Sequence, residues 1–548
     1  MKCTNLTRSE PTQSGVQFTI AIVRPRVGFR RGLFVFGGYL LGSIWLWRKF
    51  VPHLATRALG GGVLDPGMFV WWLKWASFAV TRGMNPFRST YLNSPSGVGA
   101  MWNASTLALG VLFTPVTLAF GAVASFNVAC ILGPPLAAWT AWLWLRRHTG
   151  DLPAIAGGAL FGFSPFVTAH ARAGHLNFMW LFLLPVIAML IENLLWRSPR
   201  PAWPTAPLLG LAAAAQLLIS SEALLILVFG CAAATLLFVA SNLGAARRRL
   251  RVALPAIGVA AATTAALCAW PLYEQFAGNQ AIRGPVQGIG VYGGKLAMLV
   301  HPTSLLALHS ARGPRGHLTS IEDGLYLGWP LIALLLLTVL LLGLRRRGVL
   351  IAAVVAALAI DLQMYGTRWH IGSVSMPTPI NLLQTNVRLT DDILPGRFAI
   401  LMWLAIAWLF AVALDAVMTR VPGIWSIVAT LSVAAACLIP LLPATEGPAS
   451  ALTPTPTLFT TSLREVIPAG STVMIAPMAE VGDSAAELWQ VAAGMRFRQL
   501  GGYMLHPDGT AGAPSYGPDA RALTELFGIQ LKTDLPFGGP LTPQLRAA

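Results

Sequence analysis

Long apolar runs recur along the chain, at 32–47, 105–121, 123–145, 153–169, 178–196, 205–220, 222–241, 252–272, 325–344, 348–365, 397–418 and 424–443. Each approaches the ~17–25 residues that carry an α-helix across a bilayer. Between them lie short polar gaps that hold arginine clusters: Arg146/Arg147, Arg197/Arg200, Arg247–Arg249 with Arg251, Arg345–Arg347, and Arg420. Positive residues in short loops mark the cytoplasmic side, so all five clusters should share one face. They cannot if every run spans. Starting with the N-terminus inside, three spans would carry Arg146/Arg147 outside, and each later cluster would follow. One of the second and third runs must therefore not cross. The run 105–121 is short, holds Pro115 and has no flanking charge, so it is read as a helix in the outer interface.

Parity then predicts an α-helical polytopic membrane protein of about eleven transmembrane helices, with the N-terminus inside and the C-terminus outside. Arg24, Arg26, Arg30 and Arg31 precede the first run, as in an uncleaved signal anchor. The expected division is a cytoplasmic tail 1–31, a transmembrane domain 32–443 with its first outer loop at 48–122, and an extracytoplasmic domain 444–548. That last part follows a linker with Pro443, Pro448, Pro454 and Pro456. A β-like run Ser471–Ala476 and helical stretches Ser484–Phe497 and Asp519–Phe527 give it a small α/β character.

Composition agrees and narrows the class. Of 548 residues 55% are hydrophobic and 11% charged, against roughly 25% charged in soluble domains. A soluble multidomain enzyme and a disordered chain are excluded. The net charge of +17 is almost all arginine, with five lysines among 38 basic residues. Scattered over short loops, these charges form no stripe for nucleic acid. The five cysteines form no CxxC pair, and Gly60-Gly61-Gly62 lacks the setting of a phosphate loop.

The chemistry concentrates in the first outer loop. Asp65 is the sole acidic residue between Glu10 and Asp151. It opens an aromatic segment (Phe69, Trp71, Trp72, Trp75, Phe78) of the kind that lies in the headgroup layer. Asp before Pro66-Gly67 also suits a helix cap. His170 and His175 flank Arg172 at the outer end of the fourth run, followed by Asn177, as phosphate or sugar contacts. Their i, i+5 spacing does not suit two metal ligands on one helical face. Glu222 follows Ser220-Ser221 at an outer turn, where an ionisable residue is costly unless used or capping the next helix. Glu274 has the same standing one loop later. Loop 273–324 carries basic residues, His301 among them, and the pair Glu322-Asp323. Arg397 opens the next span and could fork onto a phosphate.

The text Asn85-Pro86-Phe87, Leu92-Asn93, Pro95, Gly97-Val98 and Met101-Trp102-Asn103 resembles uncharacterised bacterial members of the GT-C superfamily of polyprenyl-phosphate-sugar-dependent glycosyltransferases. Phe163-Ser164-Pro165-Phe166 and Gly174-His175-Leu176-Asn177 are similar to the same group. The resemblance covers residues 60–195, about a quarter of the chain. It implies two juxtamembrane helices, near 66–82 and 105–121, with Asp65 as catalytic base. It implies an inverting transfer from a polyprenyl-phosphate-linked donor to an envelope glycan, lipid or protein at the outer face of a bacterial inner membrane. Charge on the departing phosphate could be stabilised by cationic groups or by a divalent metal ion (Mg or Mn), and no cofactor is required by the sequence. Protein O-mannosyltransferases of the superfamily carry Asp-Glu, whereas Asp65 precedes Pro66, so that assignment does not transfer. The alternatives are a lipid-linked glycan flippase and a non-catalytic scaffold of the same fold. Spans nearly free of charge, with Glu192, Asp361 and Asp415 near their ends, count against an ion-coupled carrier.

Overall fold

The computed structural model describes residues 28–517, apart from 61–63, 198–203, 242, 291, 310–321, 323, 372, 445–448, 452–454, 477, 480 and 509–511. Most of the expected tail 1–31, Arg24, Arg26, Arg200, Asp323 and the helical stretch 519–527 lie outside the described residues. The helices in chain order are α1 Phe29–Leu46, α2 Asp65–Val80, α3 Leu107–Leu112, α4 Thr114–Phe120, α5 Ala122–Leu145 and α6 Asp151–Gly162. There follow α7 Pro165–Ala173, α8 Leu176–Met179, α9 Leu183–Glu192, α10 Thr205–Ser241, α11 Leu243–Phe276 and α12 Trp329–Leu342. The last are α13 Arg347–Leu362, α14 Pro379–Asn386, α15 Ala399–Arg420, α16 Trp425–Leu438, α17 Leu463–Val466 and α18 Ala485–Ala492.

The fold is of membrane type. Among the described residues five helical stretches are long and apolar enough to cross a bilayer: Ala122–Leu145, Asp151–Ala173, Thr205–Ser241, Ala253–Phe276 and Pro395–Arg420. Three shorter apolar ones are Leu183–Leu195, Trp329–Leu342 and Trp425–Leu441. The run 105–121 is not a single helix. It forms α3 and α4, six and seven residues long, each reaching about 10 Å at 1.5 Å per residue. Neither can cross ~30 Å of hydrocarbon.

α10, at 37 residues, would overshoot the bilayer as one rod, and it breaks at Ser220 (φ −159°, ψ 100°). Its first half runs alongside α11, with Gly210 against Ala260 and Thr263 and Ala214 against Cys268. Its second half runs alongside α15, with Glu222 at Leu394 and Arg397 and Gly230 at Leu401. Ser220 Oγ accepts the Ala223 N–H at 3.3 Å and so caps the second half. The sequence's two segments, 205–220 and 222–241, are therefore a helical hairpin turning at Ser220.

Arginine gathers at one end of the bundle. Arg31 and Arg146 pair with Asp151, Arg147 with Asn193, and the Gly150 N–H with Asp415 at 2.6 Å. Arg347 donates to the Ser241 carbonyl at 3.1 Å. α15 runs through the centre, buried over nearly all of Ala399–Leu414. Its start lies at the opposite end, beside the first loop.

At that opposite end α2 departs from the expected headgroup-layer helix. Trp71, Trp72, Trp75 and Phe69 are at most 1% exposed, and no aromatic face is left for lipid. Apolar around most of its circumference, with Lys74 half-buried, the helix is largely enclosed by α3, α4, α5 and the C-terminal segment. Trp71 Nε1 donates to Gln490 Oε1 of α18 at 2.6 Å. Met495 and Met504 complete the tryptophan cluster. The expected β-run is the short strand Thr472–Val473, parallel to Arg498–Gln499, and a hairpin pairs Leu505–Asp508 with Ala513–Tyr516. These elements keep a small core of their own around Phe459, Leu463 and Phe497, and they also share the core of the first loop.

Candidate active site

Asp65 is the first residue of α2, where the helix dipole favours an anion. The capping alternative does not hold, because Leu64 occupies the cap position. The Asp65 carboxylate turns away from its own helix. Its Oδ2 lies 2.5 Å from His175 Nε2, and its Oδ1 accepts the hydroxyl of Tyr503. Burial alone would raise the carboxyl pKa. The hydrogen bonds and charge of His175, the Tyr503 hydroxyl and the nearby Arg397 outweigh burial and hold it below the usual carboxylate range. Asp65 is thus an anion at neutral pH, with its side chain 31% exposed.

α7 ends at Ala173, and Gly174 (φ 73°) turns the chain. That turn, not helical spacing, brings His175 back to His170, with their Nδ1 atoms 2.8 Å apart. The spacing objection to paired histidines therefore fails: one sits in α7 and the other precedes α8. Gly174 is required twice. Its φ is left-handed, and a Cβ there would come within 2.6 Å of Pro66 Cγ and 2.8 Å of the Leu59 carbonyl. Gly174→Ala is expected to cost about 2 kcal/mol or more and to lower the melting temperature. An unchanged Tm would mean that the approach of α2 to α7 is not what demands the glycine.

His170 is fully buried between the rings of Phe166 and Phe178, at centroid distances of 4.3 and 4.9 Å. Its Nε2 faces Glu322 Oε2 at 3.8 Å. Glu322 Oε1 lies 3.9 Å from Arg397 Nη2, and Arg397 Nη1 donates to Glu222 Oε2 at 2.6 Å. Glu222 Oε1 accepts the Leu394 N–H at 3.2 Å. The guanidinium lies 4.6 Å over the Phe178 ring. One continuous polar chain results: Tyr503, Asp65, His175, His170, Glu322, Arg397, Glu222.

Five of the eight residues singled out from sequence, Asp65, His170, His175, Glu222 and Arg397, thus meet in one network. Asn177 is half-buried in α8, next to Phe178. Glu274, at the end of α11, accepts from Asn85 at 3.3 Å on the rim. His301 is exposed, and among the described residues no hydrogen bond or ion pair joins it to the network. Tyr503 was not singled out, and Glu322 was read only as part of its loop.

A metal could sit at His170, His175 and Glu322, whose donor atoms lie within 4.8 Å of one another. His170 and Glu322 have donor atoms to spare for it, whereas His175 would have to give up its bond to Asp65 or to His170 in order to bind. If a neutral His175 donates through Nε2 to Asp65, its Nδ1 accepts from His170 Nδ1–H. The Nε2 of His170 is then a lone pair aimed at a carboxylate. His170 Nε2 and Glu322 Oε2 are both buried without a hydrogen-bond partner, which suits a cation or a proton between them. Two imidazoles and one carboxylate favour a zinc- or manganese-type ion over magnesium.

No family model and no curated protein matches the chain. In three dimensions it is similar to the apo oligosaccharyltransferase of Archaeoglobus fulgidus, at 14% identity and TM-score 0.48, covering 85% of this chain and 64% of that one. It is similar also to the arabinofuranosyltransferase AftD from Mycobacteria (15%, TM-score 0.46, 87% and 32%). A third similar structure is ArnT from Cupriavidus metallidurans bound to undecaprenyl phosphate (12%, TM-score 0.37, 72% and 62%). The chain spans less than two thirds of the length of each. The overlap is loose, and the functional reading rests on the site itself.

Proposed function

We propose that this chain is an inverting glycosyltransferase of the GT-C type. It would move a sugar from a polyprenyl-phosphate donor to a hydroxyl of an envelope glycan, lipid or protein at the outer face of a bacterial inner membrane. The observation that carries the reading is the Asp65 carboxylate, held from both sides by His175 and Tyr503 at the end of the bundle opposite the Arg31, Arg146 and Arg147 cluster. The sequence resemblance across 60–195 gives the same residue the same role.

In the proposed step the acceptor oxygen attacks the anomeric carbon from the face opposite the phosphate. Asp65 takes the hydroxyl proton as the new C–O bond forms, a contribution of about 10²–10⁴-fold. The bond from carbon to phosphate oxygen breaks, and its electron pair leaves with the polyprenyl phosphate. A phosphate needs no general acid, so one carboxylate suffices and the centre inverts. Arg397 and the buried histidines supply positive or hydrogen-bonding character for the departing oxygens. A divalent ion at His170, His175 and Glu322 would add charge stabilisation there. A flippase would place its site at mid-membrane, whereas this network lies at the bundle's end.

Purified protein in lipid nanodiscs, offered radiolabelled polyprenyl-phosphate sugars and an envelope extract, is expected to transfer label to the extract. Donor binding without transfer to any fraction of a complete extract would replace the transferase reading with a scaffold or flippase.

A further inference from the structure

Tyr503 and Asp65 are 438 residues apart in sequence, yet the phenol donates to the carboxylate. Resting on the transferase reading, we infer that Tyr503 is a positioning residue for Asp65, and that the C-terminal segment is thereby a working part of the catalytic site.

The geometry gives the phenol a task that no other described group performs. His175 fixes Oδ2. A carboxylate held at one oxygen can still swing about its Cβ–Cγ bond, and a second donor on Oδ1 stops the swing. Each carboxylate oxygen has two lone-pair sites, so both oxygens keep one for the acceptor's proton. Burial and the Asp65 charge push the phenol's own pKa up, so the group remains a donor over the working pH range.

The segment is fastened firmly enough to aim a side chain. The Tyr503 N–H donates to Glu487 Oε1 at 2.6 Å, and Glu487 is wholly buried. Two residues on, Leu505 exchanges both backbone bonds with the Asn103 amide, at 2.8 and 2.9 Å. Ser484 Oγ donates to the carbonyl of Leu64, the residue before Asp65, at 3.2 Å. Gln490 Nε2 donates to the Tyr91 and Phe497 carbonyls at 3.0 and 2.7 Å, while its Oε1 accepts from Trp71 Nε1. The base and its second donor are therefore set on one rigid layer.

The test compares wild type and Tyr503→Phe as full chains in nanodiscs. We expect kcat to fall about 10- to 100-fold, on the scale of one hydrogen bond to a charged group, with donor KM unchanged and the protein folded, its Tm lowered only modestly. We also expect the infrared difference spectrum between the two to hold a shifted carboxylate band that vanishes when both carry Asp65→Asn. Unchanged kcat, or no such band, would overturn the inference. Should Tyr503→Phe fail to fold, 3-fluorotyrosine at position 503 keeps ring and hydroxyl but alters donor strength. The same band must then shift, and a fixed band overturns the proposal. If wild type transfers no sugar, the transferase reading fails, and the infrared arm still decides whether Tyr503 holds Asp65.

Discussion

Asp65→Asn is expected to lower sugar transfer by about 10²–10⁴-fold while leaving the protein folded. The amide has the size of the carboxylate but cannot accept a proton from the attacking hydroxyl. Its surroundings can adjust without breaking. The amide oxygen can still take the Tyr503 hydroxyl, and its NH₂ would face His175 Nε2. The imidazole then accepts at Nε2 and donates through Nδ1 to His170 Nδ1, whose Nε2–H turns to Glu322. Every contact of the wild-type network survives with its protons reversed. Loss of transfer with an unchanged Tm would therefore report on proton acceptance and not on folding. The pH dependence follows from the same contacts. Because the folded pKa of Asp65 is depressed, its ionised form and the stability it contributes are fully present above the ordinary carboxylate range. Both are lost as pH falls through the depressed value. Wild-type transfer should persist to pH values where a free carboxylate would already be half protonated. Equal transfer by Asp65→Asn and wild type would remove Asp65 as base, and Glu222 would be the next carboxylate to examine.

How much of this was legible in advance depended on the range of the interaction. Apolar runs and arginine clusters are local, and they located the helices and singled out 105–121 as non-spanning, a segment the structure divides into α3 and α4. Asp65 stood out because acids are scarce around it. The aromatic pattern of α2 gave a helix but the wrong environment. A Trp-rich helix is suited to a lipid interface, and nothing in its own sequence says that Gln490, Met495 and Met504 will come to cover it. The histidines were found, but their pairing was not. Helical spacing was the only ruler available, and the Gly174 turn lies outside it. Glu322 and Tyr503 join the site purely through tertiary packing, over sequence separations of 152 and 438 residues for the contacts they make. The one local hint at Tyr503 was the pair Gly501-Gly502 before it. A Cβ at Gly502 would come within 3.2 Å of Leu92, the close approach at which the C-terminal segment meets the first loop.

Arg397→Leu is expected to destabilise the protein by about 3–5 kcal/mol, because it strands two carboxylates rather than because it removes one bond. Glu222 and Glu322 lie on either side of the guanidinium, with side chains 17% and 6% exposed. Without it, their mutual repulsion and desolvation go uncompensated. This makes the single variant a poor test of phosphate binding, since lost transfer would follow from lost structure. Arg397→Leu combined with Glu222→Gln removes one charge of each sign and should recover much of the Tm. Glu222→Gln can still accept the Leu394 N–H that fixes the start of α15. If Arg397 also receives the donor phosphate, the double variant, though stable, should show a donor KM raised about tenfold or more, as expected for a lost charge-assisted contact. Arg397→Lys separates the two roles from the other side. It keeps the charge that steadies the carboxylates but loses the planar fork and its stacking on Phe178, so stability should hold better than donor affinity. A stable double variant with wild-type donor KM would reduce Arg397 to a strut between Glu222 and Glu322. The phosphate would then have to be met by the histidines, or by a metal ion that they and Glu322 hold.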